Sequence, residues 1–135
     1  MADAFNFELV SPERLLVSEK ATEVVIPATL GEMTVLANHA PTMTTIKPGV
    51  VTVKLASGQV DKYVVFGGFA DILPTGCTLL AESAVALADI TRETLQARIE
   101  ATRTEANAAT THEHKTKLEE YLAQLTELNG AILPA

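Results

Sequence analysis

The spacing of apolar residues changes once along this chain, close to Asp89, and no other feature constrains the fold as tightly. Before that point apolar residues recur at every second position, in short runs interrupted by Gly, Pro and Ser. Beyond it they recur at every third or fourth position, with no Gly before Gly130 and no Pro before Pro134. A period of two marks strands with one buried face, and a period of about 3.6 marks amphipathic helices. The expected fold class is therefore α+β. A β-sandwich or flattened barrel is expected over residues 1–88, and an antiparallel two-helix hairpin over residues 89–135.

The strand region reads as about ten short strands separated by turn signals. Phe5, Phe7 and Leu9 alternate with Asn6 and Glu8, so one face of the first strand is buried. Leu15-Leu16-Val17 and Val24-Val25-Ile26 follow, the latter stopped by Pro27, and Met33-Thr34-Val35-Leu36 comes after the turn Leu30-Gly31-Glu32. Val51, Val53 and Leu55 lead through Ser57-Gly58-Gln59 into Tyr63-Val64-Val65-Phe66 as a hairpin. Gly67-Gly68 marks a bulge or a close backbone approach. Phe69 to Leu73 and Thr78 to Val85 pair around Pro74-Thr75-Gly76.

In the helical region Asp89 or Thr91 caps the first helix, whose stripe is Leu95, Ile99 and Ala106. Asn107-Ala108-Ala109-Thr110 is a short connection, and Thr110 with Glu113 reads as a capping box for the second helix. Leu118, Tyr121, Leu122, Leu125 and Leu128 form its stripe, and Asn129-Gly130 is the expected stop. So short a link makes the two helices antiparallel neighbours.

Composition and motif exclude several kinds of chemistry. Ten basic residues are scattered among seventeen acidic ones for a net charge of −7, which is the wrong sign for a nucleic-acid partner. The single cysteine, Cys77, rules out an intramolecular disulfide, and its setting in a strand reads as a small buried hydrophobe. The N-terminus lacks the basic segment and apolar core of a signal peptide, and no apolar stretch reaches the ~20 residues of a membrane span. No phosphate-binding glycine loop is present. His112 and His114 lie two apart on a helix, about 200° around its axis, so they cannot share a metal. No nucleophile elbow accompanies His39, so no catalytic residue, metal or cofactor is expected. Two readings of Asn38-His39-Ala40-Pro41 stand side by side: an ordinary loop with His39 bonded to the backbone, or an imidazole presented at a contact face.

Several short segments occur in a telling order. They are Val10-Ser11-Pro12-Glu13, Gly31-Glu32, Asn38-His39-Ala40-Pro41, Ile46-Lys47-Pro48-Gly49, Gly67-Gly68-Phe69-Ala70-Asp71 and Leu80-Ala81-Glu82-Ser83-Ala84. With the hairpin that follows, the chain resembles the epsilon subunits of bacterial F-type ATP synthases, counterparts of the mitochondrial delta subunit. The resemblance spans nearly the whole chain. Asn38 stands where the family pattern has Gly before His-Ala-Pro, and Asn tolerates the same left-handed backbone.

The resemblance implies a non-catalytic rotor subunit, present in one copy, whose sandwich binds the gamma subunit and rests on the polar loops of the membrane c-ring. By position, Gly31 and Glu32 match the c-ring contact, and His39 with Ser11 nearby matches the face toward gamma. The family's hairpin is regulatory and can reach the alpha/beta hexamer. Here its distal helix carries Glu119, Glu120 and Glu127 with no Lys or Arg after Lys117, which implies weak inhibition. Family members that bind ATP do so through an Ile/Leu-Asp-x-x-Arg-Ala segment. Thr91 stands at its Asp and Thr94-Leu95 at its Arg-Ala, so no ATP site is implied. The implied location is peripheral, on the cytoplasmic face of the inner membrane, without insertion into the bilayer. The alternative is a free-standing β-sandwich binding module whose hairpin recognises another helical partner, with an enzyme ranked last.

Overall fold

Phe5, Phe7 and Leu9 are buried in the computed structural model, which describes residues 3–132, and their alternation with more exposed neighbours builds strand β1 (Phe5–Val10). The remaining strands are β2 (Leu15–Ala28), β3 (Gly31–Val35), β4 (Thr42–Leu55), β5 (Val60–Leu73), β6 (Gly76–Ala81) and β7 (Ala84–Ala86). A single 3₁₀ turn, Leu87–Asp89, precedes helices α1 (Arg92–Ala108) and α2 (His112–Ile132). The chain divides into two compact units between Leu87 and Ala88.

The expected strands are present, but seven elements, three of them long, replace about ten short ones among the described residues. Runs expected to be separate belong to single strands of 14 residues, β2, β4 and β5. Pro27 does not stop β2. It pairs with Glu32 of β3, and the β2–β4 register slips between Val25 and Ala28 to accommodate it. Gly49 makes room for Pro27, because a Cβ there would lie 2.6 Å from Cβ of Pro27.

Strand order is β1-β6-β5-β4-β2-β3, and β1 also pairs with β2, closing the first five into a flattened ring. β3 continues beside the second half of β2, and β7 pairs with β5. Inside lie Phe7, Leu9, Val24, Ile26, Val51, Val53, Ile72 and Leu79, all fully buried. At Gly67-Gly68 the β4–β5 register runs on unbroken, so the pair marks a close approach rather than a bulge. A Cβ on Gly68 would sit 2.0 Å from the Leu80 carbonyl oxygen, and both glycines have positive φ.

In the second unit α1 packs along α2. Leu95, Ile99 and Ala106 of α1 are buried, and so is Thr102, whose hydroxyl bonds back to the Arg98 carbonyl. Leu125 and Leu128 of α2 are buried, while Leu118, Tyr121 and Leu122 are half-buried. Two boundaries differ from expectation. The N-cap of α2 is Thr111 rather than Thr110, with its hydroxyl accepting from the His114 N–H at 3.2 Å. Asn129-Gly130 does not end the helix, because Gly130 keeps negative φ and the turn that a left-handed glycine would close does not form. The tail assigned to the hairpin, residues 133–135, lies outside the described residues.

Candidate functional site

Cross-strand pairing places four side chains in one row on the outer face of the strand unit. Val10 of β1 pairs with Leu80 of β6, Leu80 with Phe69 of β5, and Phe69 with Thr45 of β4. Directly opposed residues share a face, so this row is continuous. Phe69 is 52% and Leu80 48% exposed, and Met43, on the same phase of β4 as Thr45, is 71% exposed. Phe69 occupies the wet phase of β5 while Ala70 and Ile72 fill the core. A large aromatic on that phase was a readable signal that the sequence analysis did not use.

The two residues expected to face gamma lie at opposite ends of this layer. Ser11 follows β1 directly and closes the turn to β2: its amide donates to the Arg14 carbonyl at 2.9 Å and its hydroxyl to the same oxygen at 3.3 Å. A shallow recess of about 340 Å³ beside it is lined by Ser11, Glu13, Arg14, Glu82 and Ser83 among others. His39 belongs to the β3–β4 loop, where the Asn38 N–H donates to the Pro74 carbonyl at 3.0 Å. The adjoining Thr75 accepts from Asn6 at the start of β1. Ser11 and His39 are therefore separated by most of β1, about 15–20 Å at 3.3 Å per residue, and are not neighbours. The apolar row lies between their two loops.

His39 bonds to the backbone of its own loop, with Nδ1–H donating to the Ala40 carbonyl at 2.7 Å. Asn38 takes φ +66, the only non-glycine among the described residues with positive φ, as expected for a residue standing where Gly is usual.

Gly31 and Glu32 open β3 at the tip of the β2–β3 hairpin. Glu32 is exposed, Gly31 has φ +135, and Leu30 beside them is 102% exposed. Thr29 ties this tip to β4. Its N–H donates to the Thr45 carbonyl at 3.1 Å, and its hydroxyl lies 3.2 Å from the same oxygen and 2.6 Å from the Thr45 hydroxyl.

At the start of α1, Thr91 is the N-cap and its hydroxyl accepts from the Thr94 N–H at 3.0 Å. The Thr91 and Thr94 hydroxyls also bond to each other at 2.6 Å. Thr91 and Thr94, two of the positions that depart from the ATP-binding pattern, thus serve as a helix cap. His112 and His114 are exposed, and among the described residues no three His, Cys, Asp or Glu gather to hold a metal ion. Burial, with a smaller effect of Asp71, pushes the Cys77 thiol up to about 12. Burial, then the Asp61 and Glu19 carboxylates, raises the Tyr63 phenol. No described helix is long and apolar enough to cross a membrane.

Residues 4–87 match the family described as "ATP synthase, Delta/Epsilon chain, beta-sandwich domain". The chain is 70% identical to the ATP synthase epsilon chain of Agrobacterium fabrum, covering 100% of both chains. It is 68% identical to that of Rhizobium johnstonii, covering 98% of each. It also superposes on a chain of the Euglena gracilis mitochondrial ATP synthase (OSCP/F1/c-ring, rotational state 1) with TM-score 0.74 and 27% identity, over 96% of this chain and 81% of that one. A chain of the Tetrahymena thermophila mitochondrial ATP synthase central stalk and c-ring shares the fold at TM-score 0.60 and 9% identity, covering 93% and 96%. From its strand unit through its helices, the chain belongs to the delta/epsilon family of ATP synthase subunits, as an epsilon chain.

Proposed function

We propose that this epsilon chain works without covalent chemistry, as a stiff coupling piece in the central stalk between gamma and the c-ring. It is a peripheral subunit on the cytoplasmic face of the membrane, in one copy per complex. The observation that carries this reading is the row joining half-buried Val10 to exposed Leu80 and Phe69 on a sheet whose first five strands close on themselves. A module that passes torque needs a broad apolar face on a rigid support rather than an enclosed pocket. Gamma covers that face, with the Ser11 turn and the His39 loop at its two margins. The hairpin tip at Gly31-Glu32 meets the c-ring loops, where an acidic residue complements basic loop side chains.

The hairpin is the regulatory element. Its acidic distal half is repelled by an acidic segment of the catalytic hexamer, so inhibition of hydrolysis is weak. Thr91 and Thr94 supply no carboxylate or guanidinium for a nucleotide, so ATP does not bind; micromolar binding by calorimetry of the isolated subunit would overturn that point.

Co-purification tests the main claim. A tagged chain should bring down gamma and the catalytic hexamer, and Phe69→Glu, which places an unpaired charge in the row, should release it while the isolated subunit stays folded. Recovery of the tagged wild-type chain free of gamma would favour the free-standing binding module.

A further inference from the structure

We infer that the Thr29–Thr45 hydroxyl pair is a brace that fixes the β2–β3 tip, so that Leu30 and Glu32 are presented to the ring as one rigid tooth. The inference rests on the ring contact proposed above and adds Leu30, Thr29 and Thr45 to it. The argument starts from the turn. Ala28 pairs with Gly31, so Thr29 and Leu30 form a two-residue loop. Such loops favour types I′ and II′, whose positive φ matches the twist of the flanking strands. Neither Thr29 nor Leu30 has positive φ; the left-handed residue is Gly31, one place later. The tip therefore departs from the primed two-residue turns, its one positive φ displaced to Gly31.

Support comes from a different strand. The Thr29 hydroxyl donates to the Thr45 carbonyl and accepts from the Thr45 hydroxyl, beside the amide bond to the same carbonyl. Thr45 is in turn locked to Phe69 in the β4–β5 register, one step from the apolar row. The tip and the row assigned to gamma are thus joined by one strand pair. Leu30 at full exposure makes no contribution to this chain's own core, and its apolar surface is free for a partner.

The test uses full-length subunit and the reassembled membrane complex. In the isolated subunit, Thr29→Val and Thr45→Val should each raise hydrogen exchange at the Thr29 amide about five-fold, the size of one net hydrogen bond lost from a local opening equilibrium. In the complex both should lower proton pumping per ATP hydrolysed, with subunit content unchanged, and Thr29→Ser should restore both readouts. Leu30→Ser should lower pumping while leaving the Thr29 amide as protected as in wild type. Unchanged exchange and pumping in the valine variants, or failure of serine to restore them, overturns the brace. Normal pumping with Leu30→Ser overturns the tooth. A wild-type chain absent from the purified complex overturns the functional reading beneath both.

Discussion

Substituting Gly68 by Ala asks whether the close approach of β5 and β6 governs the strand unit. Two separate costs follow from the structure. A Cβ at φ +134 occupies a backbone region that L-residues rarely adopt, which costs about 1–3 kcal/mol. The same Cβ would lie 2.0 Å from the Leu80 carbonyl oxygen and 2.9 Å from Cα of Ala81, where ordinary contact begins at 3.4 Å. Both obstacles are backbone atoms of a paired strand, so relief requires β6 to retreat and the Gly68–Ala81 pairing to weaken. Overpacking of this kind adds about 1–3 kcal/mol, for a total of about 2–6 kcal/mol. Gly58→Ala is the control, since Gly58 also has positive φ, at +95, but nothing stands within 4 Å of its Cβ. It should cost only the backbone share, about 1–3 kcal/mol. Urea unfolding followed by far-UV circular dichroism measures both. With a slope of about 1–3 kcal/mol per molar, the extra overpacking cost should bring the Gly68 midpoint about 0.3–3 M below that of the Gly58 variant. Equal midpoints would show that the contact with Leu80 carries no energy, and that Gly67-Gly68 serves only backbone conformation.

Three further outcomes are expected. Thr91→Ala removes the acceptor for the Thr94 amide and should destabilise α1 by about 1 kcal/mol, read as a lower melting midpoint for the helical signal; Thr91→Asp should recover it. Cys77 titrates near 12 when folded and near 9 when unfolded, so the folded state holds its proton longer. Its contribution is therefore intact below pH 9 and falls by about 1.4 kcal/mol per unit toward pH 12. Cys77→Ala should flatten alkaline unfolding over that window, and wild-type thiol should resist alkylation at pH 8 until urea is added. Removing residues 89–135 from the assembled enzyme should leave ATP hydrolysis nearly unchanged, and a several-fold rise would refute weak inhibition.

The change of period near Asp89 separated strands from helices to within two residues of the boundary at Leu87. The alternation of Phe5, Phe7 and Leu9, and the stripe through Leu95, Ile99, Leu125 and Leu128, were equally legible because each reports one buried face. What failed was the reading of punctuation. Pro27 reads as a strand end, yet it lies inside the continuous strand β2, as Pro48-Gly49 and Gly67-Gly68 lie inside β4 and β5. Local turn preference cannot distinguish a stop from a bend, because the deciding contacts come from elsewhere in the chain. Pro27 is accommodated by Gly49, and Gly68 by Leu80. The capping error at Thr110 is of the same kind: two adjacent threonines both satisfy the local rule, and only the amide that is actually bonded selects Thr111.

The sites were harder to read for a related reason. Glu32 and His39 could be singled out by their place in a motif, but a contact face is made by cross-strand neighbours that are far apart in sequence. Val10, Leu80, Phe69 and Thr45 become one row only through the registers of three strand pairs. The same pairing joins Thr45 to Thr29 and so to Leu30. This shared strand links the two ends of the proposed machine physically. A load on the tip at Leu30 reaches Thr45 through hydrogen bonds, and from Thr45 passes along the ladder to Phe69 without crossing a flexible loop. Backbone ladders resist shear along their whole length, whereas an isolated hairpin tip yields by local opening at little cost. Coupling through this chain should therefore depend more steeply on the Thr29–Thr45 brace than on any single surface charge, including that of Glu32. Screening by salt weakens an exposed charge but leaves those hydrogen bonds in place, so pumping should persist at high ionic strength in the wild type.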